Sequence, residues 1–255
     1  MCGIFGIAST KSIKNKLYQG LIKLEYRGYD SSGISGSDDS SKLTTIKATG
    51  PIKNLRTKLK TLTKITTGIA HTRWATHGEP ILKNTHPHLS ENISVVHNGI
   101  IENHIELRSL LKKKNYTFKS DTDSEAISHL IHMNYKKSKN METAIISTSK
   151  MLKGSYAIGC MNNNYPNTIF VACNGSPLII GKSKDENFIA SDITPILADT
   201  KDFITLNDSE FAKITPSEIL IFNSNKKKIN KVTKTSKFNS EQSSLSGHKH
   251  FMHKE

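Results

Sequence analysis

From Tyr156 to Phe222 the chain is a succession of short apolar runs separated by turn residues: Tyr156 to Met161, Thr168 to Cys173, Leu178 to Gly181, Phe188 to Ala190, Phe203 to Leu206 and Ile219 to Phe222. Each run is too short for a helix and several are rich in β-branched or aromatic residues, so this part of the chain must build sheet. Upstream, the apolar run Cys2 to Ala8 reads as a strand, and Ile13, Leu17, Leu21 and Leu24 recur at helical spacing behind it. The segment Arg27-Gly28-Tyr29-Asp30-Ser31-Ser32-Gly33 is expected to break that pattern with turn-forming residues. Ile65 to His71 reads as a further strand, and Ile93 to His97 as another that stops at Asn98-Gly99. Helices are expected around Ile105 to Leu111, from near Thr122, where Thr122 and Glu125 have capping-box spacing, and from Met141 to Leu152. The result is an α+β class domain with large sheets. A chain of 255 residues, 35% hydrophobic, suffices for one such core. The domain is expected to span residues 2–230, with a polar, Ser- and Lys-rich linker over residues 231–255.

Several function classes fit poorly. No stretch approaches the roughly 18 consecutive apolar residues of a membrane span, and no basic segment precedes the first apolar run, so a soluble, unexported protein is expected. Cys2, Cys160 and Cys173 are odd in number and not closely paired, which suits a reducing cytoplasm. The formal charge of +14 invites a nucleic-acid partner. However, Lys112-Lys113-Lys114, Lys136-Lys137 and Lys226-Lys227-Lys228 are dispersed, with few interleaved aromatics, and read as solvated helix ends and turns. His71, His77, His86, His88 and His97 invite a metal reading, yet neither paired cysteines nor a His-Glu-x-x-His run accompanies them. No metal and no cofactor are expected.

The residues with chemical potential cluster early. If Met1 is removed, Cys2 carries a thiol and a free α-amine, a nucleophile and a base on one residue. A cysteine at this position is equally an ordinary thiol when taken alone. The run His71-Thr72-Arg73-Trp74-Ala75-Thr76-His77-Gly78 follows a strand and enters a stretch, up to Asn92, with no sustained periodicity. Arg73 has the fork to clamp a carboxylate through two parallel bonds. Trp74 reads either as a cover over a bound substrate or as a core anchor, and Thr76 and His77 add hydroxyl and imidazole groups to the same substrate-binding loop. Asn98-Gly99 is either a type I′ hairpin turn or an oxyanion hole formed by the Asn98 amide and the Gly99 N–H. Asp121 and Asp123 both read as helix-start carboxylates, and Asp123 alternatively as a partner for a substrate ammonium.

These pieces resemble, in order and spacing, the class II glutamine amidotransferases of the N-terminal-nucleophile hydrolase type. The similarity is greatest to the glutaminase domain of the glutamine–fructose-6-phosphate aminotransferases. Met1-Cys2-Gly3-Ile4, Leu24 through Ser31, Gly68 through Pro80, His97 through Asn103, Thr122-Asp123-Ser124-Glu125 and Gly154-Ser155-Tyr156-Ala157 carry the resemblance, which covers nearly the whole chain. It implies a four-layer αββα sandwich and attack of Cys2 on the side-chain amide of glutamine. By the same resemblance Arg73 holds the substrate carboxylate, Asp123 its ammonium, Asn98 and Gly99 the oxyanion, and Trp74 belongs to the closing loop. Ser31-Ser32-Gly33 departs from the family's more frequent Ser-Ala-Gly. His250 to Glu255 resembles the entry to the family's sugar-phosphate isomerase half, none of which follows. The implied partners are therefore glutamine and an isomerase half acting on fructose 6-phosphate, through which any homodimer would form, with neither nucleic acid nor membrane. The competing expectation is a truncated, non-catalytic glutamine-binding module.

Overall fold

The computed structural model describes residues 2–37, 42–75 and 78–237. Its first half runs β1 (Gly3–Ser9), α1 (Lys14–Lys23), β2 (Ser31–Ser37), β3 (Leu43–Thr49), a 3-10 segment (Ile52–Thr61), β4 (Thr67–Arg73), β5 (His88–Ser90), β6 (Ile93–Ile101) and α2 (His104–Lys113). The second half contains α3 (Ser124–Ser138), α4 (Met141–Ser149), β7 (Gly154–Asn162), β8 (Ile169–Asn174), β9 (Ile179–Lys182) and β10 (Glu186–Ala190). It ends with β11 (Asp202–Thr205), β12 (Glu210–Ile214), β13 (Ile219–Phe222), β14 (Lys228–Ile229) and β15 (Lys234–Thr235). Among the described residues the strands form two antiparallel sheets. One has eight strands in the order β15-β11-β9-β10-β1-β4-β2-β3, the other seven in the order β14-β13-β12-β8-β7-β6-β5.

Strand periodicity explains why these sheets stack. In β1, Ile4 and Ala8 face the second sheet, whereas Phe5 and Ile7 face α1 and the 3-10 segment. In β6, Val96 faces the first sheet, whereas Ile93 and Val95 face α2, α3 and α4. Three apolar layers result: helix against first sheet, sheet against sheet, and second sheet against helices. The architecture is thus the αββα sandwich, and strands covered on both faces, such as β1 and β4, are buried at every position.

Two local expectations are corrected. The turn-like segment at Ser31-Ser32-Gly33 opens β2, a fully buried strand held between β3 and β4. Small residues are used there because the backbone is crowded: a Cβ on Gly33 would lie 2.1 Å from the carbonyl oxygen of His86. Second, β6 does not stop at Asn98-Gly99. It continues to Ile101, with Asn98 opposite Ala157 and Gly99 opposite Tyr156 in β7. Gly99 has φ of 125°, and a Cβ there would strike the Ser155 carbonyl oxygen at 2.1 Å. The Asn-Gly pair therefore accommodates close strand pairing and makes no hairpin turn.

The lysine clusters lie where their pattern suggested. Lys112 and Lys113 occupy the last turn of α2, Lys136 and Lys137 that of α3, and Lys226 a left-handed turn. The chain beyond Phe222 crosses from one sheet to the other. β14 pairs with β13, Lys231 Nζ bonds the Glu210 carboxylate at 2.7 Å, and β15 then pairs with β11. No helix among the described residues is long and apolar enough to cross a membrane.

Replacing Gly33 with alanine forces a methyl group against a buried backbone carbonyl. The G33A protein is expected to lose about 1–3 kcal/mol of stability, read as a lowered midpoint in thermal or urea denaturation.

Candidate active site

The sheet-to-sheet layer loses its apolar character at one end, where the same alternation delivers polar side chains. Ile4 faces the opposing sheet, so Cys2, two residues before it, has the same parity. Ile69 in β4 faces inward, as do its parity mates His71 and Arg73, and Val96 in β6 is followed on the same face by Asn98. Gly3 pairs with Thr72 across β1 and β4, which sets Cys2 beside Arg73 and Trp74.

The half-buried Cys2 Sγ lies 3.5 Å from the Trp74 carbonyl oxygen and accepts the Trp74 N–H at 3.3 Å. Burial pushes the Cys2 thiol up, against the opposing effect of that N–H and of the Arg73 charge. A protonated thiol at neutral pH follows, which needs a base to become a nucleophile. Asn98 Nδ2 donates to the Cys2 carbonyl oxygen at 3.0 Å, so the amide lies against the residue whose thiol it is expected to serve.

Arg73 is buried, and its guanidinium donates to the carbonyl oxygens of Gly78 at 2.9 Å and Glu79 at 3.1 Å. The fork thus anchors the returning loop, and the charges of Asp30 and Asp123 act on it. Thr76 and His77 lie outside the described residues. Trp74 is 43% exposed and meets the Tyr29 ring edge-on at a centroid separation of 5.6 Å. The core-anchor reading of Trp74 is therefore overturned, because the strand has left the sandwich at this point.

Asp123 is buried at the start of α3 with no side-chain capping bond. Its Oδ2 accepts the Ile101 N–H at 2.8 Å, tying α3 to the end of β6, and its Oδ1 accepts the Ser124 hydroxyl at 3.2 Å. The capping box expected between Thr122 and Glu125 is not formed. Glu125 instead accepts from Lys119 N, Ser120 N and Ser120 Oγ, while Thr122 Oγ1 pairs with His88 Nε2 at 3.1 Å.

Three contributors were not assigned to the site from sequence. Asp30 Oδ2 accepts the Ala75 N–H at 2.8 Å and Asp30 N donates to the Arg73 carbonyl, fixing where the loop leaves β4. Asp192 receives Tyr26 OH at 2.9 Å and the Arg27 guanidinium at 2.7 Å, holding the turn after α1. His71 touches Asn98 directly. Only the two-residue spacing of His71 and Arg73 hinted that both share a face.

Residues 71–198, which carry His71, Arg73, Asn98 and Asp123, match the family of glutamine amidotransferase domains. The chain belongs to that family. Relatives named glutamine–fructose-6-phosphate aminotransferase (isomerizing) align with all of this chain: 47% identity in Wigglesworthia glossinidia brevipalpis, 44% in Buchnera aphidicola of Acyrthosiphon pisum and 41% in Vibrio vulnificus. In each case the chain spans 42% of the relative's length. Among solved structures, glutamine phosphoribosylpyrophosphate amidotransferase from B. subtilis superimposes with a TM-score of 0.74 at 26% identity, covering 88% of this chain and 49% of that one. A glutamine aminotransferase class-II domain protein from Silicibacter pomeroyi shares the fold at 13% identity and a TM-score of 0.60, over 87% of this chain and 99% of that one. The amidotransferase assignment and the αββα sandwich therefore agree with what the motifs implied.

Burial disfavours ionisation of Glu125, but His129 and the Lys119 and Ser120 donors outweigh it and hold the pKa down at about 2. A depressed carboxylate stabilises the fold above its unfolded value, near 4.5, and that contribution disappears as pH falls toward about 2. Acid denaturation followed by circular dichroism should show this loss, and Glu125→Gln should flatten the dependence in that window.

Proposed function

We propose that this domain hydrolyses glutamine to glutamate and ammonia, with Cys2 as nucleophile and its own α-amine as base after removal of Met1. The observation that carries the reading is the convergence of Cys2, Arg73 and Asn98 at one end of the sandwich, with Asn98 Nδ2 bonded to Cys2 itself.

The amine takes the thiol proton as Sγ attacks the side-chain carbonyl carbon of glutamine. The carbonyl oxygen becomes an oxyanion, which the second Asn98 Nδ2 proton and the Gly99 N–H stabilise. Collapse breaks the carbon–nitrogen bond, the amine returns its proton to the departing nitrogen, and ammonia leaves a glutamyl thioester. Water, activated by the same amine, attacks the thioester and releases glutamate. The raised pKa of Cys2 fits this scheme, since a protonated thiol next to a free amine needs no other base. Arg73 binds the substrate carboxylate, Asp123 binds the ammonium, and Trp74, Thr76 and His77 contact the substrate.

In the longer relatives the name describes transfer to fructose 6-phosphate. We extend that reading to this protein: residues 2–230 supply ammonia, and a segment starting near residue 231 leads to a sugar-phosphate isomerase half, through which the protein pairs with a second copy. The unpaired Cys2, Cys160 and Cys173 fit a reducing cytoplasm.

Cys2→Ala should abolish glutamine hydrolysis in an ammonia-release assay, and wild-type turnover in that variant would refute the nucleophile assignment. Intact mass after treatment with a glutamine-like electrophile should show Met1 absent and one adduct on Cys2. An unmodified chain that still binds glutamine would instead mark a binding module. Arg73→Lys, which loses the planar fork, should raise KM for glutamine more than it lowers kcat.

A further inference from the structure

Behind the proposed oxyanion donor lies a group of histidines that the reaction scheme does not use. His71, His86 and His88 are buried, with ring centroids 4.0 Å apart for His71 and His86 and 4.6 Å for His86 and His88. Among the described residues no cluster has the geometry to hold a metal. His71 Nε2 lies 3.0 Å from the His97 carbonyl oxygen and 3.1 Å from Asn98 Oδ1.

These two contacts determine the proton. A carbonyl oxygen can only accept, so Nε2 must be the protonated nitrogen of a neutral His71 ring. An N–H aimed at the Asn98 amide requires the amide's oxygen on that side and its nitrogen on the other. The far end agrees independently, because the amide's other partner is the Cys2 carbonyl, which can accept only from Nδ2. With the amide reversed, its oxygen would face the Cys2 carbonyl and its nitrogen the His71 N–H, and the donor toward Cys2 would be lost.

We propose that His71 is the positioning residue that locks the Asn98 amide with its nitrogen toward the reacting centre. This rests on the glutaminase reading above. Burial pushes the imidazole down to about 3, in spite of its bond to the His97 carbonyl, so the ring stays neutral wherever the protein works. Among the described residues Nδ1 has no hydrogen-bond partner, and it lies among the neighbouring buried rings, so no second bond there favours the other tautomer. The role is one of orientation: His71 acts through Asn98.

The test is a double-mutant cycle on glutamine hydrolysis with His71→Leu, His71→Gln and Asn98→Ala. Asn98→Ala is expected to lower kcat by about 100-fold or more. His71→Leu should lower kcat by roughly tenfold or more with little change in KM, because the lost interaction belongs to the transition state. His71→Gln, which keeps an N–H near the Nε2 position, should recover most of the rate, and His71→Leu should cost nothing further in the Asn98→Ala background. Near-normal turnover in Asn98→Ala would remove the oxyanion assignment itself. A large Asn98 effect with fully multiplicative His71 loss would leave that assignment intact and overturn the positioning role. If His71→Leu fails to fold, nitrogen-15 NMR of histidine-labelled native protein decides the matter: Nε2–H is expected at neutral pH, and an Nδ1–H tautomer overturns the proposal.

Discussion

The packing of two sheets across a shared apolar layer governs this molecule. Ile4, Ile69, Val96, Ala157 and Val171 come from different strands, yet all occupy that layer with little or no exposure. Neither sheet can shift by one residue without exchanging its inner and outer faces, so the register that buries these side chains also fixes every side chain further along the same strands. Cys2, His71, Arg73 and Asn98 inherit their places in this way. A polar cluster at the end of a strand costs little to orient when the apolar positions beside it have already selected the face.

The supporting bonds around the cluster are mostly between side chains and backbone, and several join segments far apart in sequence. Asn98 reaches Cys2, Asp123 reaches Ile101, Asp30 reaches Ala75, and Arg73 reaches Gly78 and Glu79. Each satisfies a backbone group at a strand end or loop, where the regular ladder no longer provides a partner. The same bonds hold the groups proposed to act on substrate, so the candidate site is ordered by satisfying the polar ends of the fold.

Much of this was legible from the amino acids. The helix through Ile13, Leu17 and Leu21 and the later short strands followed from periodicity, and Cys2, Arg73, Asn98 and Asp123 stood out by chemistry and motif. The failures share a cause. Ser31-Ser32-Gly33 and Asn98-Gly99 look like turns locally, but strand pairing from distant segments overrides that preference and selects them for smallness. Glu125 has the spacing to cap its own helix, yet the preceding loop comes close enough to take the carboxylate instead. His71 was visible as one of the five histidines that invite a metal reading and as the opening of the run through Gly78, but its contact with Asn98 lies across the sandwich, where spacing reveals nothing.

The crossing segment after Phe222 also has a mechanical meaning. Because β14 is zipped to one layer and β15 to the other, with the Lys231–Glu210 ion pair between them, tension entering at Lys237 meets the β15–β11 rungs first. It then meets the ion pair, and only afterwards the edge of the opposite layer. Those attachments are short and peripheral, so they would yield in sequence and leave the long central strands that carry the cysteine end of the sandwich unstrained.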